Sequence, residues 1–206
     1  MVTHVSSLEP LSKPFARKTL IRCTRRSLVP VEKNQLWFIR SGMVRAITWD
    51  EQGQVAPLGF WGPGNLIGSE LNPITPYAFE CLNVVELEPL KIDVRRINHA
   101  LLSHMRQSSE LMKILYCRRI ESRLFQLIRW LGDNFGHRSG DRICMSLPLT
   151  HQQLAESIGS TRVTVTRLLH QFERSGQLHW SRQHQSIRVG SADCMPAPVA
   201  NVVNND

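Results

Sequence analysis

The chain has 206 residues, 42% of them hydrophobic and 20% charged, enough for one large domain or two small ones around a buried core. No apolar run approaches the ~20 residues of a membrane helix, and the opening MVTHVSSLEPLSKPF lacks the apolar core of a secretory signal, so a cytoplasmic protein without a membrane partner is expected. Lys and Arg total 25 against 17 acidic residues, a net charge of +8 that favours an acidic partner, nucleic acid before anionic membrane.

Residues 15–98 are rich in strand formers and punctuated by glycine. Gln35-Leu36-Trp37-Phe38-Ile39-Arg40 ends at Ser41-Gly42, and Met43-Val44-Arg45-Ala46-Ile47-Thr48-Trp49 follows. β-Branched and aromatic residues dominate both pieces, which suits pleated strands meeting at a glycine. Asp50-Glu51-Gln52-Gly53 has the chemistry of a hairpin turn, a third strand is expected near 55–60, and Gly62-Pro63-Gly64 and Gly68 mark further corners. Short strands with glycine corners indicate a β-sandwich or β-roll, assigned to residues 1–107.

From Ser108 to Phe135 the chain holds no proline and only Gly132, and Ile120, Leu124, Leu127, Ile128, Leu131 and Phe135 recur in steps of three and four on one helical face. Such a helix, over 108–136, is longer than a small β-roll can cover, so Ile120, Leu124, Leu127, Ile128 and Leu131 are expected to form a seam with a second copy of the chain. His137-Arg138-Ser139-Gly140-Asp141 suggests a polar hinge. Thr150 with Gln153 three positions on has the pattern of a capping box that opens a helix through about Ile158. Gly159 ends that helix, Ser160 or Thr161 caps the next, and Gly176 closes it. Two short helices about a glycine turn predict a helix-turn-helix. Two strands at Leu178-His179-Trp180-Ser181 and Ser186-Ile187-Arg188-Val189 then form a wing, giving a unit over 137–190, and 191–206 is expected to be a disordered tail.

Charge follows that division: residues 118–190 hold 11 basic and 5 acidic side chains, against 14 and 10 in residues 1–117. In Thr161-Arg162-Val163-Thr164-Val165-Thr166-Arg167-Leu168-Leu169, the apolar Val165, Leu168, Leu169 and Phe172 share one side and should pack inward. Arg162, Val163, Thr166 and Arg167 are left outside, where the N-terminal part of a helix lying in the major groove meets base edges. Arg162 can donate two hydrogen bonds to guanine, Val163 can cover a thymine methyl, and Arg167 can reach a further base or a phosphate. Thr150, His151, Gln152 and Thr164, with Arg182 and Arg188 of the wing, are candidates for phosphate contacts.

No catalytic constellation accompanies these residues. Between 15 and 98 there is no histidine, which removes the metal-binding alternative for a β-roll; no G-x-S-x-G, phosphate loop or H-E-x-x-H occurs, and no metal site is expected. His99 and His104 are expected at the surface. The five cysteines, at 23, 81, 117, 144 and 194, are scattered and never form C-x-x-C, so reduced thiols are expected. The competing class is a ligand-sensing or membrane-surface module without DNA binding; it would need an exposed apolar face opposite the basic one.

These segments together resemble the CRP/FNR family of transcription regulators. Ile39-Arg40-Ser41-Gly42-Met43-Val44-Arg45 with Gly64-Asn65-Leu66-Ile67-Gly68 is similar to the family's effector-domain β-roll, Ile120-Glu121-Ser122-Arg123-Leu124 onward to its dimerisation helix, and 149–167 to its winged helix. The resemblance implies an α+β fold: an N-terminal double-stranded β-helix of the cyclic-nucleotide-binding type, a long dimerisation helix, and a C-terminal winged helix-turn-helix. It implies a homodimer on double-stranded DNA, RNA polymerase as a further partner if the protein activates, and no cofactor. The recognition helix resembles that of the cyanobacterial nitrogen-control regulators, which implies a palindrome of GTA and TAC half-sites read by Arg162, Val163 and Arg167. The β-roll and C-terminus depart from that group, which suggests its sulfur-responsive paralogues that govern sulfate uptake; the alternative is nitrogen control in response to a 2-oxo acid. The corner Gly68-Ser69-Glu70 and the stretch Tyr77-Ala78-Phe79-Glu80-Cys81 lack the arginine of the cyclic-nucleotide binders, and Glu80 would repel a phosphate, so cyclic AMP is not expected. Cys23 alone in its region cannot hold an iron–sulfur cluster. For a small anionic effector, Arg123 is the best available cation.

Overall fold

The computed structural model describes residues 20–30, 35–71, 74–91, 94–140, 142–146, 149–181 and 186–189. Its first seven strands are β1 (Ile21–Cys23), β2 (Gln35–Ser41), β3 (Val44–Trp49), β4 (Val55–Trp61), β5 (Leu66–Ile67), β6 (Ala78–Cys81) and β7 (Val85–Lys91), with a 3-10 turn at Ser69–Leu71. They form two antiparallel sheets, ordered β1-β7-β2-β5 and β4-β3-β6. The chain leaves one sheet for the other at Gly42, whose φ is +86°. A Cβ there would strike the backbone of Val84 and Val85, so the corner requires glycine. The Asp50–Gly53 hairpin is present: the Gly53 amide donates to the Asp50 carbonyl at 3.0 Å, and Asp50 Oδ1 accepts from the amides of Gln52 and Gln54.

Alternation along β2 divides its side chains between two cores. Trp37 and Ile39 point between the sheets with Val44, Ala46, Trp61, Phe79 and Leu87. Leu36 points the other way, onto Leu71 and Ala100. Ala100 belongs to α1 (Val94–Leu115), which lies across the roll. His104, expected at the surface, is only 8% exposed; its ring stacks on Trp61 at 4.5 Å between centroids, and Nε2 lies 3.0 Å from the Leu66 carbonyl.

The single helix expected over 108–136 is two helices, α1 and α2 (Ile120–Phe135). The chain tightens at Cys117, whose amide donates to Ile114 rather than to the residue four back, and Arg119 is extended at φ −92°, ψ 129°. Arg123 Nε donates to the Cys117 carbonyl at 2.7 Å, satisfying an acceptor that the break leaves open. The expected seam is also corrected. Leu124, Leu127, Ile128 and Leu131 are fully buried in their own chain, against Leu154, Ile158, Val165, Leu168 and Phe172, with Ile120 at the rim. Side chains already covered in this way have nothing left to offer a second subunit.

The expected hinge at 137–141 is another correction, because its described part is built into a hairpin. β8 (His137–Ser139) pairs with β9 (Arg142–Ser146) about Gly140 at φ +64°. Then come α3 (His151–Ile158), α4 (Arg162–Arg174), β10 (Leu178–Ser181) and β11 (Ser186–Val189), and the sheet runs β10-β11-β9-β8. The fold is therefore α+β, a β-roll followed by helices and a winged helix-turn-helix. Cys23, Cys81, Cys117 and Cys144 are thiols, and burial raises the Cys81 pKa to about 11. Among the described residues no helix is long and apolar enough to cross a membrane. The tail at 191–206, Arg182 and the Arg188 side chain lie outside the described residues.

Candidate nucleic-acid interface

Local chemistry starts and stops α3 and α4 where the spacing predicts. The Thr150 side chain accepts from the Gln153 amide while Gln153 Oε1 accepts from the Thr150 amide at 2.9 Å, a complete capping box. Gly159, at φ +64° and ψ +50°, ends α3 in the left-handed conformation. Thr161 is the N-cap of α4, its hydroxyl accepting from the Thr164 amide at 3.2 Å. Val165, Leu168, Leu169 and Phe172 hold α4 against α2 and α3, with Phe125 edge-on to Phe172 at 5.5 Å.

The outward face of α4 starts with Arg162 and Val163, and Val163 is 78% exposed although apolar. Arg167, His170 and Arg174 continue that face at helical spacing and border a shallow groove with Gln171 and Ser175. His170 and Arg174 were not singled out in the sequence, yet they fall three and seven residues after Arg167 and could have been found by continuing the stripe.

Thr166 is placed differently from its neighbours. Its hydroxyl donates to the Arg162 carbonyl at 2.9 Å and lies 2.8 Å from His151 Nδ1. With the hydroxyl proton given to the carbonyl, His151 Nδ1–H is the donor of the second bond, so Thr166 ties α4 to the start of α3. Burial, then the nearby charges of Arg162 and His170, lower the His151 pKa, which favours the neutral ring. Thr164 is half-buried, and its hydroxyl lies 3.0 Å from that of Thr161. Gln152 is exposed at the α3 N-terminus, and its amide group donates to Glu156 at 3.1 Å.

Arg123, expected as an effector cation, does structural duty. Besides the Cys117 carbonyl it donates from Nη1 to the Ile158 carbonyl at 3.2 Å, joining the α1–α2 break to the end of α3. Glu80 also differs from expectation: it faces outward from β6 and pairs with Arg45 at 2.6 Å. Its charge therefore supplies no argument about a ligand inside the roll. A separate pocket of about 510 Å3 lies between the β-roll and α1, bordered by Phe38, Arg40, Leu66, Glu88, His99 and Ser103. Glu88 neutralises the Arg40 guanidinium there.

Comparison with known proteins matches the same region. Residues 119–193 match the Crp-like helix-turn-helix domain. Regulatory protein CysR of Synechococcus elongatus is 42% identical over 158 residues, covering 75% of this chain and 77% of that protein. The Global nitrogen regulator of the same organism is 46% identical over 69 residues, but these cover only 34% of this chain and 31% of that protein. Two solved structures share the fold over 83% of this chain. One is FixK2 from Bradyrhizobium japonicum, with 91% of that chain covered, TM-score 0.70 and 20% identity. The other is TTHB099, a CRP-family transcriptional regulator from Thermus thermophilus, with 92% covered, TM-score 0.68 and 19% identity.

Proposed function

The chain belongs to the CRP/FNR family of transcription regulators, proteins that act by binding DNA rather than as enzymes, and from that premise we propose that it binds a GTA/TAC palindrome as a homodimer and controls sulfur-assimilation genes, sulfate uptake among them. The exposed N-terminal face of α4 carries the DNA reading. An apolar side chain left 78% in water between two exposed arginines has no role in the protein's own packing. It fits a thymine methyl in the major groove, beside a guanine that Arg162 can reach. Arg162, Val163 and Arg167 read bases, while Thr150, His151, Gln152, Thr164, Arg182 and Arg188 serve phosphates. His170 and Arg174 extend the phosphate track. Thr166 acts through its tie to His151 rather than on a base.

The dimer forms through α1. Val94, Leu101, Met105, Met112 and Leu115 are all exposed, Met105 by 66%. They fall on one seam of alternating four- and three-residue steps that Asn98 and Ser108 complete. That unpaired stripe is what a second copy of α1 would cover, setting the two α4 helices on half-sites ~34 Å apart. Sulfur rather than nitrogen control is supported by the reach of the likeness. The 42% identity to CysR spans 158 residues, whereas the likeness to the nitrogen regulator stops after 69. The protein acts in the cytoplasm, and RNA polymerase is its further partner where it activates.

The test is titration of the purified protein against a GTA/TAC palindrome and a scrambled duplex, together with mapping of bound sites in sulfate-starved and nitrogen-starved cells. Arg162→Ala should lose ~1–3 kcal/mol and relax discrimination at one guanine. Unchanged sequence preference in that variant would remove Arg162 from base reading.

A further inference from the structure

One polar contact joins the β-roll to the helix-turn-helix across 111 residues of sequence, and its three charges are nearly dry. Arg45, on β3, donates from Nε to Glu80 at 2.6 Å and from Nη1 to Glu156 at 2.7 Å. The side chains are 6%, 15% and 19% exposed, respectively. Arg45 and Glu80 face each other across the β3–β6 pair, so the roll itself aims the guanidinium. Glu156 lies on α3, where its other oxygen accepts from Gln152 at 3.1 Å. Gln153 completes the contact: its Oε1 caps the Thr150 amide, and its Nε2 donates to Glu80 at 3.2 Å.

The arrangement bears on the start of α3, the part of the first helix that faces phosphates. Thr150 is held through Gln153 to Glu80, and Gln152 is held through Glu156 to Arg45. A planar guanidinium between two carboxylates is directional, whereas an apolar contact would allow sliding. The remaining join between roll and head is apolar, with Met43, Phe60 and Leu82 of the roll in one buried cluster with Leu124, Ile158 and Leu168, and Phe60 6.3 Å from the Trp130 ring. Such packing holds the two together without fixing direction as a charged fork does. We propose that Arg45, Glu80 and Glu156 are positioning residues for DNA binding: they fix α3 on the β-roll so that the two α4 helices of a dimer meet both half-sites in register. The inference rests on the dimeric reading above and adds the residues that set the geometry between heads.

A positioning role makes a demand that a purely local role does not. The capping box of α3 and the packing of α2, α3 and α4 hold each head together without the Arg45 side chain, so affinity for one half-site should persist. The gain from engaging two half-sites depends on effective concentration, which falls when the heads no longer stand at a set separation. The experiment titrates wild type, Arg45→Met, Glu156→Gln and Arg45→Lys against a palindromic duplex and a duplex with one half-site, with sedimentation confirming the oligomeric state. Arg45→Met should weaken palindrome binding about tenfold or more, with half-site binding within about twofold of wild type. Glu156→Gln should show the same pattern more weakly, and Arg45→Lys should recover part of the loss, since an ammonium retains the charge but not the fork. Equal weakening on both duplexes, or no change on either, overturns the clamp. A wild-type protein with no preference for the palindrome over the half-site overturns the dimeric reading, and the clamp with it.

Discussion

Helices α1 and α2 both carry an apolar stripe at helical spacing, and they differ in what covers it. On α2 the stripe is spent within the chain, with Leu124, Leu127, Ile128 and Leu131 at 0% exposure under α3 and α4. On α1 the inner face packs on the roll through Ala100 and His104, while Leu102, Met105 and Met112 on the outside are more than half exposed. Periodicity therefore reports that a helix has an apolar face, but not whether the cover is its own domain or another molecule.

The sharpest way to break this comparison is Leu127→Ala. A fully buried leucine cut to a methyl should cost ~2–5 kcal/mol, seen as a lowered midpoint in thermal or urea unfolding. A change in oligomeric state with unaltered stability would return α2 to the interface. Met105→Glu on α1 should do the reverse. It places charge on an exposed seam, so the protomer should keep its stability within about 0.5 kcal/mol, while sedimentation shows monomers and palindrome affinity falls steeply. A dimer that survives this substitution would move the interface off α1.

The smallest effect is a matter of pH on the inner face of α1. Burial lowers the His104 pKa below the usual 6.5, outweighing its bond to the Leu66 carbonyl. The unfolded chain then binds more protons than the folded one between the lowered value and 6.5, so stability should decline as pH falls through that window and level off below it. His104→Gln should flatten that part of the pH–stability curve; an unchanged curve would place its origin elsewhere, with His151 the next group to test.

Much of the DNA-reading unit was legible because its signals are local. A capping box spans four residues, a left-handed C-cap needs one glycine, and the outward face of α4 follows from which side Val165, Leu168 and Phe172 occupy. The β-hairpin at Asp50–Gly53 was legible for the same reason. The β8–β9 hairpin was missed because His137-Arg138-Ser139-Gly140 is polar enough to pass for a linker; pairing with β11 makes β9 part of a sheet. The helix break at 116–119 contains neither glycine nor proline. What stabilises it is Arg123 bridging to Cys117 and Ile158, a contact visible only once α3 is in place.

From the order of residues alone come the α+β class, the hairpin at Asp50–Gly53, the two helices of the helix-turn-helix with their caps, and the exposed face of α4 with Arg162, Val163 and Arg167. All of these depend on neighbours within one or two turns, whose geometry the backbone period dictates. Only the folded chain decides that α2 is core and α1 is open, that Thr166 belongs to His151, and that Arg45 binds both Glu80 and Glu156. Those facts turn on which surfaces meet across tens of residues, and close packing settles that by shape and charge together, with no spacing rule to announce it.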